Sequence, residues 1–280
     1  MKLKFIDKML ILNTILLLTI ILYYMMTIKK TVKKKSNIKQ SKNSYKRYKE
    51  NLMPPIETSC LEHYSDLSKP NKNTICVISY DNRKVLPENL DKLIKLNRKY
   101  CKKYNIKYFF YSKKTIYPPY WTKVLLVLEE LKRNRYKYVL WLDTDALIQL
   151  NQHLSIFINS HMKNRDMLIS SDPPIWRSPF NAGVWCVKNN NKTKQLLEQW
   201  LSYYNKDLWN EVDGKWTCRK CQWSGSEYEQ GAFVKYILPK YKNNIQSINY
   251  KLINNNKYDK NNECIFHFAG QFKSLINKIK

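Results

Sequence analysis

The residues best placed to do chemistry lie in YVLWLDTDALI, residues 138–148, where two aspartates two positions apart follow five apolar residues. A fully apolar run cannot hold two carboxylates inside it, because burying an unpaired charge is costly. Asp143 and Asp145 are therefore expected to emerge at the carboxyl end of a buried strand, which is where open α/β sheets bind ligands. Residues two apart in extended chain point the same way, so both carboxylates can face one cation while Thr144 points elsewhere. An Asp-x-Asp by itself is more often a solvated turn or a cap, and the apolar strand ahead of it is what favours a metal site.

Three further segments carry chemistry-bearing residues. PFNAGVWCV (179–187) reads as a turn into a strand, with Gly183 allowing close backbone approach or a tight packing corner. YEQGAF (228–233) opens a helix, where Glu229 and Gln230 either cap the first turn or face a substrate. IFHFAG (265–270) puts His267, one of four histidines, at a strand end. A lone histidine on an apolar strand is more often a core residue than a ligand, and here the other segments reverse that balance.

The elements that must position these residues alternate. TICVISY (74–80) reads as a buried strand ending in the turn-forming pair Asp81-Asn82. A helix follows, with Leu90, Leu93, Ile94 and Leu96 on its apolar face, and KYFFY (107–111) is a second strand. WTKVLLVLEEL (121–131), behind the Pro118-Pro119 break, is a strong helix, and Tyr138 to Leu142 a third strand. This order, with strands apolar on both faces, predicts an α/β fold with a mainly parallel sheet. The five glycines lack the spacing of a GxGxxG or Walker A loop, which excludes standard Rossmann and P-loop nucleotide sites.

At 280 residues and 44% hydrophobic, the chain can bury a real core and is not a disordered polypeptide. Its net charge of +28 would ordinarily suggest nucleic acid. The excess is mostly lysine in a chain also crowded with Asn, Ile and Tyr, which codon bias in an AT-rich genome would produce without selection, so no nucleic acid is expected as a partner. A noncatalytic basic membrane-anchored protein that binds nucleic acid, anionic glycan or lipid is the alternative that charge leaves open. Seven cysteines are an odd number at irregular spacings and leave the compartment undecided.

Residues 1–50 hold 13 Lys/Arg against 2 Asp/Glu, and this excess brackets an uncharged apolar stretch at 9–28. As a helix that stretch is about 30 Å long, enough to span a bilayer once, and no small-residue cleavage site follows it. The expected organisation is a short tail at 1–8, a transmembrane anchor at 9–28, a basic stem at 29–72 and a catalytic domain at 73–280. The lysines following the span outnumber those before it, which on charge alone keeps the catalytic domain cytosolic.

Taken in order, ICVISYDNR, NRKYCKKYNIKYFFY, PYWTKVLLVLEEL, YVLWLDTDALI, FNAGVWCVKNN with LLEQW, EYEQGAF and HFAG resemble the glycosyltransferase family 34 pattern. That family includes yeast α-galactosyl and α-mannosyl transferases and plant xyloglucan xylosyltransferases, and the likeness covers about residues 73 to 273. It implies a GT-A fold, with a Rossmann-like mixed sheet flanked by helices. It also implies a nucleotide-sugar donor, a divalent cation that is usually Mn²⁺, a glycan or glycoprotein acceptor and retention of anomeric configuration.

Carried over by motif, Asp143 and Asp145 are the DxD pair, with Thr144 between them, and His267 is the third protein ligand. Manganese accepts such a carboxylate and imidazole set. Ser79, Tyr80, Asp81 and Arg83 then point to the nucleoside, and Asn181, Ala182 and Gly183 lie along the donor sugar and acceptor. Gln230, with Glu229 beside it, resembles the position facing the anomeric carbon. Same-face attack is favoured over double displacement, because a glutamine is a poor nucleophile.

Two departures stand out. The pattern often has Asp where Glu229 stands, and a basic residue soon after HF-x-G, so that Gly270 and the candidate Lys273 fall beside the diphosphate. The segment from Tyr204 to Ser226 is an insertion with Trp209, Trp216 and Trp223 and a single CxxC, Cys218 and Cys221, read as a local disulfide or two free thiols rather than a zinc site. Its tryptophans either stack on an acceptor sugar or pack in the core. The family setting also implies a type II membrane enzyme with a luminal, Golgi-like catalytic domain, against the lysine count.

Overall fold

The computed structural model describes residues 25–26 and 75–279. The chain divides into two units, Met1–Met53 and Pro54–Lys280. Of the first, Met25 and Met26 are described, and both are helical and exposed. The expected anchor and stem otherwise lie outside the described residues, and no described helix is long and apolar enough to cross a membrane.

The second unit is built on a six-stranded sheet. Its strands are β1 (Ile75–Tyr80), β2 (Lys107–Tyr111), β3 (Tyr138–Leu142), β5 (Met167–Ser170), β6 (Val184–Lys188) and β9 (Ile245–Ile248), in the order β2-β1-β3-β6-β5-β9. Only β6 runs against its neighbours β3 and β5, so the sheet is mainly parallel. β1, β3 and β5 are buried at every residue, which is why they read as continuous apolar runs rather than alternating ones. A second sheet orders β10 (Ile253–Asn255), β11 (Cys264–His267) and β4 (Ala146–Gln149). A separate hairpin pairs β7 (Trp209–Val212) with β8 (Lys215–Cys218).

Helix α1 (Glu88–Lys103) follows β1 and carries one buried amide among its apolar positions, Asn97. That side chain donates to the Ala146 carbonyl at 2.8 Å and accepts from the Ile148 N–H at 2.8 Å, locking α1 to β4. Both bonds are sheltered from water, so the pair fixes position as well as satisfying the amide. Helix α2 (Pro119–Arg133) starts with proline at its first turn, where a missing N–H costs nothing, and ends at Asn134 in the left-handed region. The shorter helices are α3 (Leu154–Met162), α4 (Asn191–Leu201), α5 (Glu229–Ala232) and α6 (Leu238–Tyr241), with a π-helical turn Phe233–Ile237 joining the last two. Trp185, Trp200, Phe180 and Phe233 pack ring against ring under α4 and α5, with centroids 4.1 to 5.8 Å apart.

Candidate active site

Asp143 and Asp145 leave the carboxyl end of β3, as the apolar run requires. They sit in a turn rather than in extended chain, because the backbone must swing from β3 in the large sheet to β4 in the small one. The Ala146 N–H donates to the Asp143 carbonyl at 3.0 Å to close that turn. The two carboxylates still converge, because each aspartate is held by a neighbouring ladder. The β3–β6 register ends with Leu142 opposite Val184, and the Asp143 N–H extends it by donating to the Gly183 carbonyl at 2.8 Å. The β4–β11 register places Ala146 opposite His267, and the Phe268 N–H extends it to the Asp145 carbonyl at 2.9 Å.

The result is a three-residue cradle. Asp143, Asp145 and His267 each offer a ligand atom, and these atoms lie within 4.8 Å of one another. His267 Nε2 is 3.3 Å from Asp145 Oδ1 and 3.8 Å from Asp143 Oδ2, and its Nδ1 is buried without a partner. A Cβ on Gly183 would stand 2.0 Å from His267 Cε1, so that position admits the imidazole only because it has no side chain. Two carboxylates and an imidazole form a donor set suited to a hard or borderline divalent cation.

Electrostatics around the cradle reinforce it. Burial works against ionisation of Asp145, but the His267 ring and the Lys273 ammonium, 3.3 Å away, outweigh it and hold the carboxyl well below its usual range. Burial likewise opposes a charged His267, and Asp145 and Asp143 hold its pKa above the ordinary value. Thr144 turns away, donating to Asp81 Oδ2 at 3.2 Å, and Asp81 in turn binds Arg83 through Nε at 2.8 Å and through Nη2. Trp141 Nε1 donates to Asp143 Oδ1 at 2.7 Å.

The expected Glu229, Gln230, Asn181, Ala182 and Gly183 are brought to the same cleft. Glu229 is not left exposed on the first turn of its helix, where Tyr228 at the N-cap position makes no side-chain cap and the Glu229 carboxylate meets its own backbone N–H. It is buried instead, 3.3 Å from Lys123 Nζ, because that ammonium, itself buried on α2, needs anionic partners. Lys123 also reaches Asp143 at 3.1 and 3.3 Å and the Ala182 carbonyl at 3.1 Å. Burial pushes the Lys123 pKa down and the two carboxylates more than restore it, whereas burial pushes the Glu229 carboxyl up and Lys123 draws it back only in part. Gln230 accepts from the Ala182 N–H at 3.0 Å and donates to Asp172 Oδ2 at 3.0 Å. Asn181 donates to the other Asp172 oxygen and accepts from the Gly183 N–H at 2.8 Å. Burial raises the Asp172 carboxyl, an effect those two amides partly offset.

Not every expected residue opens on the cleft. Ser79 is fully buried, its hydroxyl donating to the Leu142 carbonyl at 2.7 Å and accepting from Tyr108 at 3.0 Å, so it ties β1 to β3 and β2. Tyr80 is buried as well. Gly270 is exposed at φ +57°, a conformation that lets the chain turn after β11 and bring Lys273 back over Asp145. Cys218 and Cys221 form a disulfide.

Sequence reading passed over Lys123 and Asp172. The first is the lone charge in the mainly apolar stretch WTKVLLV, and the second follows the short strand MLIS with one residue between, as Asp143 comes directly after YVLWL. Both were visible as a charge within or just past a buried run.

An α/β sheet with its acidic cradle at the strand ends fits the GT-A class of glycosyltransferase folds. The chain is similar, with a TM-score of 0.57 and 16% identity over 74% of this chain and 100% of the other, to a glycosyltransferase involved in the glycosylation of the major capsid of PBCV-1. It is also similar to a mutant Drosophila beta1,4galactosyltransferase 7 in complex with manganese, UDP-Gal and xylobiose, with a TM-score of 0.41 and 13% identity over 72% of this chain and 73% of that one. No curated protein sequence matches. Residues 71–173, from the lead into β1 to just beyond β5, match the family model of the galactosyl transferase GMA12/MNN10 family. The family match and the shared fold support a glycosyltransferase.

Proposed function

We propose that the chain is a metal-dependent retaining glycosyltransferase that moves a hexose or pentose from a nucleotide-diphosphate sugar, UDP-galactose, UDP-xylose or GDP-mannose, to a glycan acceptor. The observation that carries this reading is the convergence of Asp143, Asp145 and His267 within 4.8 Å, on a GT-A-like sheet, beside a glutamine whose amide is held at both ends. Asp143, Asp145 and His267 would hold Mn²⁺ or another divalent cation. Such an ion supplies Lewis-acid neutralisation of the charge that develops on the departing nucleotide diphosphate.

The chain's own residues do the rest. Lys123 fixes Asp143 by a buried ion pair, and Lys273 sets a second positive charge against Asp145 on the face where a diphosphate would lie. Thr144 ties the cradle to Asp81 and Arg83, which are the candidates for the nucleoside side. Gln230 is oriented between the Ala182 N–H and Asp172, so its position beside Asn181 and Gly183 does not depend on a free rotamer.

The geometry also favours same-face attack. A double displacement needs an available carboxylate. Asp172 has both oxygens engaged by amides, and Glu229 is buried against Lys123. The proposal keeps an anchor at residues 9–28 and a luminal, Golgi-like setting; the length and lack of charge of that stretch support the anchor.

The purified chain is to be incubated with Mn²⁺ and a panel of UDP- and GDP-sugars, scoring donor hydrolysis in wild type beside Asp145→Ala. Turnover of one sugar, reduced at least about 100-fold in the variant, is the expected result, since even outer-shell changes at metal sites cost about 10- to 100-fold. A wild type that neither binds nor hydrolyses any of these donors, or full activity in Asp145→Ala, would overturn it.

A further inference from the structure

We propose that Tyr120, Trp209, Trp223 and Tyr228 form an aromatic platform that binds the acceptor saccharide, with the exposed Trp223 indole stacked on the apolar face of a pyranose ring; this rests on the glycosyltransferase reading above. Trp223, five residues past the β7–β8 hairpin, is 70% exposed, so packing alone does not account for its indole. It is nonetheless held in place. Its ring stands edge-on to Tyr120 at 5.6 Å and to Tyr228 at 5.1 Å, and those two rings meet each other at 5.1 Å. Trp209, buried on β7, backs both tyrosines at 5.8 and 5.0 Å. An indole held by two neighbouring rings while 70% of it stays exposed has lost rotamer freedom without burying its area, which is the arrangement of a preorganised contact.

The hairpin beneath it is pinned. The Cys218–Cys221 disulfide closes its end, Lys114 pairs with Glu211 at 2.6 Å, and Trp121 Nε1 donates to the Glu227 carbonyl at 3.0 Å. That last bond joins the platform to α2, the helix that carries Lys123 into the cradle.

Continuity with the cleft identifies the occupant. Tyr228 immediately precedes Glu229 and Gln230, and Tyr120 lies three residues before Lys123, so the platform extends the flank defined by Asp143, Lys123 and Glu229. Asp81 and Arg83 join the cradle by a different route, through Thr144. A ligand continuing past Gln230 along the platform is thus on the acceptor's side of the transferred sugar. The C–H face of a pyranose complements the electron-rich face of an indole, and the Ser226 hydroxyl and Glu227 carboxylate, bonded to each other at 3.0 Å just before Tyr228 in the chain, are groups that suit ring hydroxyls.

The test uses the full chain, the donor found active, and galacto-, manno- and xylo-oligosaccharides as acceptors. Trp223→Ala should raise the acceptor KM about tenfold or more, the usual effect of truncating an interface tryptophan. The donor KM should stay within about twofold, and Trp223→Tyr should recover most of the loss. Trp176, a half-exposed indole set against Phe272, is the comparison: Trp176→Ala should leave the acceptor KM within about twofold. An unchanged acceptor KM in Trp223→Ala, or an equal rise in Trp176→Ala, would overturn the assignment, with melting temperatures checking that each variant folds.

If wild type neither binds nor turns over any donor, the glycosyltransferase reading has failed and the platform is judged alone, by ligand-observed NMR with the same oligosaccharides. Binding lost in Trp223→Ala then supports the platform. Absent binding, or binding kept in the variant, overturns it.

Discussion

Helix α2 buries a charge at each end, and the two are used differently. Near its C-terminus Glu130 is fully buried, with Arg135 donating to both of its oxygens at 2.9 and 2.7 Å and Arg133 adding a third contact at 3.3 Å. Near its N-terminus Lys123 spends its ammonium on Asp143, Glu229 and the Ala182 carbonyl. Both charges are satisfied, so satisfaction alone does not separate a structural ion pair from a functional one. The partners do. The arginines around Glu130 run out to solvent, about 40% exposed, and lead on to Tyr111, which bonds Arg133 and lies on β2 away from the cradle. Asp143, 27% exposed, passes on from Lys123 to face Asp145 and His267 with carboxylate lone pairs still open. A buried charge that terminates in a closed pair holds the fold, whereas one that props up a partly open carboxylate prepares a site.

The strongest way to break this contrast is to spoil the open end without touching a charge. Gly183→Ala puts a methyl 2.0 Å from His267 Cε1, against a ring packed on a strand and unable to move far. On the proposed metal-dependent reading, donor turnover should fall about 100-fold, in the range for disturbed metal ligands, and Mn²⁺ should raise the melting temperature of wild type but not of this variant. A variant that still gained stability from Mn²⁺ would mean that the imidazole is not a ligand.

Lys123→Met comes next. It leaves Glu229 and Asp143 without their cation, and breaking a buried pair by removing one partner costs about 3–5 kcal/mol. Activity per folded molecule should drop about tenfold or more as Asp143 loses its anchor. The pH dependence has a definite sign. Glu229 already has its pKa raised by burial, and without Lys123 the rise grows; a carboxyl raised in the folded state binds more protons there than when unfolded, so stability falls as pH rises through that window. Denaturant melts of Lys123→Met should therefore recover stability towards pH 5 relative to wild type. A uniform loss at all pH values would show that the ion pair is not what was broken.

What was legible in the sequence follows the same division. The buried strands and the position of Asp143 and Asp145 could be read because apolar runs and their edges are local patterns, whereas His267 came to them through the motif resemblance. The turn at Asp143 to Asp145 could not, because it depends on β4 leaving the large sheet to pair with β11, a contact made 120 residues later in the chain. Glu229 stayed open between a cap and a substrate-facing group for the same reason: its partner Lys123 lies on another helix, and spacing along one element carries no trace of it. Ser79 resembled a donor-facing residue by motif, but its hydroxyl is taken by Leu142 and Tyr108 once three strands align. Pairings across elements were the part that local pattern left out.

Glu130→Gln tests the closed end. The amide keeps two of its hydrogen-bonding options but loses the charge that balances two arginines, and because those arginines reach solvent the penalty should be moderate, about 1–3 kcal/mol. Donor turnover per folded molecule should stay within about twofold, since no bond of this network reaches the cradle. A loss of activity beyond the loss of folded protein would join the two ends of α2 and erase the contrast.

The smallest effect sharpens the comparison further. Arg133 and Arg135 share Glu130 Oε2, but only Arg135 also binds Oε1, in the two-pronged geometry that matches guanidinium to carboxylate. Arg135 is further braced with its guanidinium 5.1 Å from the Phe109 ring. Arg133→Ala should therefore cost about 1 kcal/mol, since it removes one 3.3 Å contact from a half-exposed guanidinium, while Arg135→Ala costs more because it strips the carboxylate of its main donors. The double variant should lose more than the two single losses together, since in each single variant the remaining arginine still answers the buried charge. Equal, additive losses from the two arginines would mean that Glu130 is served by its surroundings in general, and that the closed end of α2 is not the self-contained network its geometry describes.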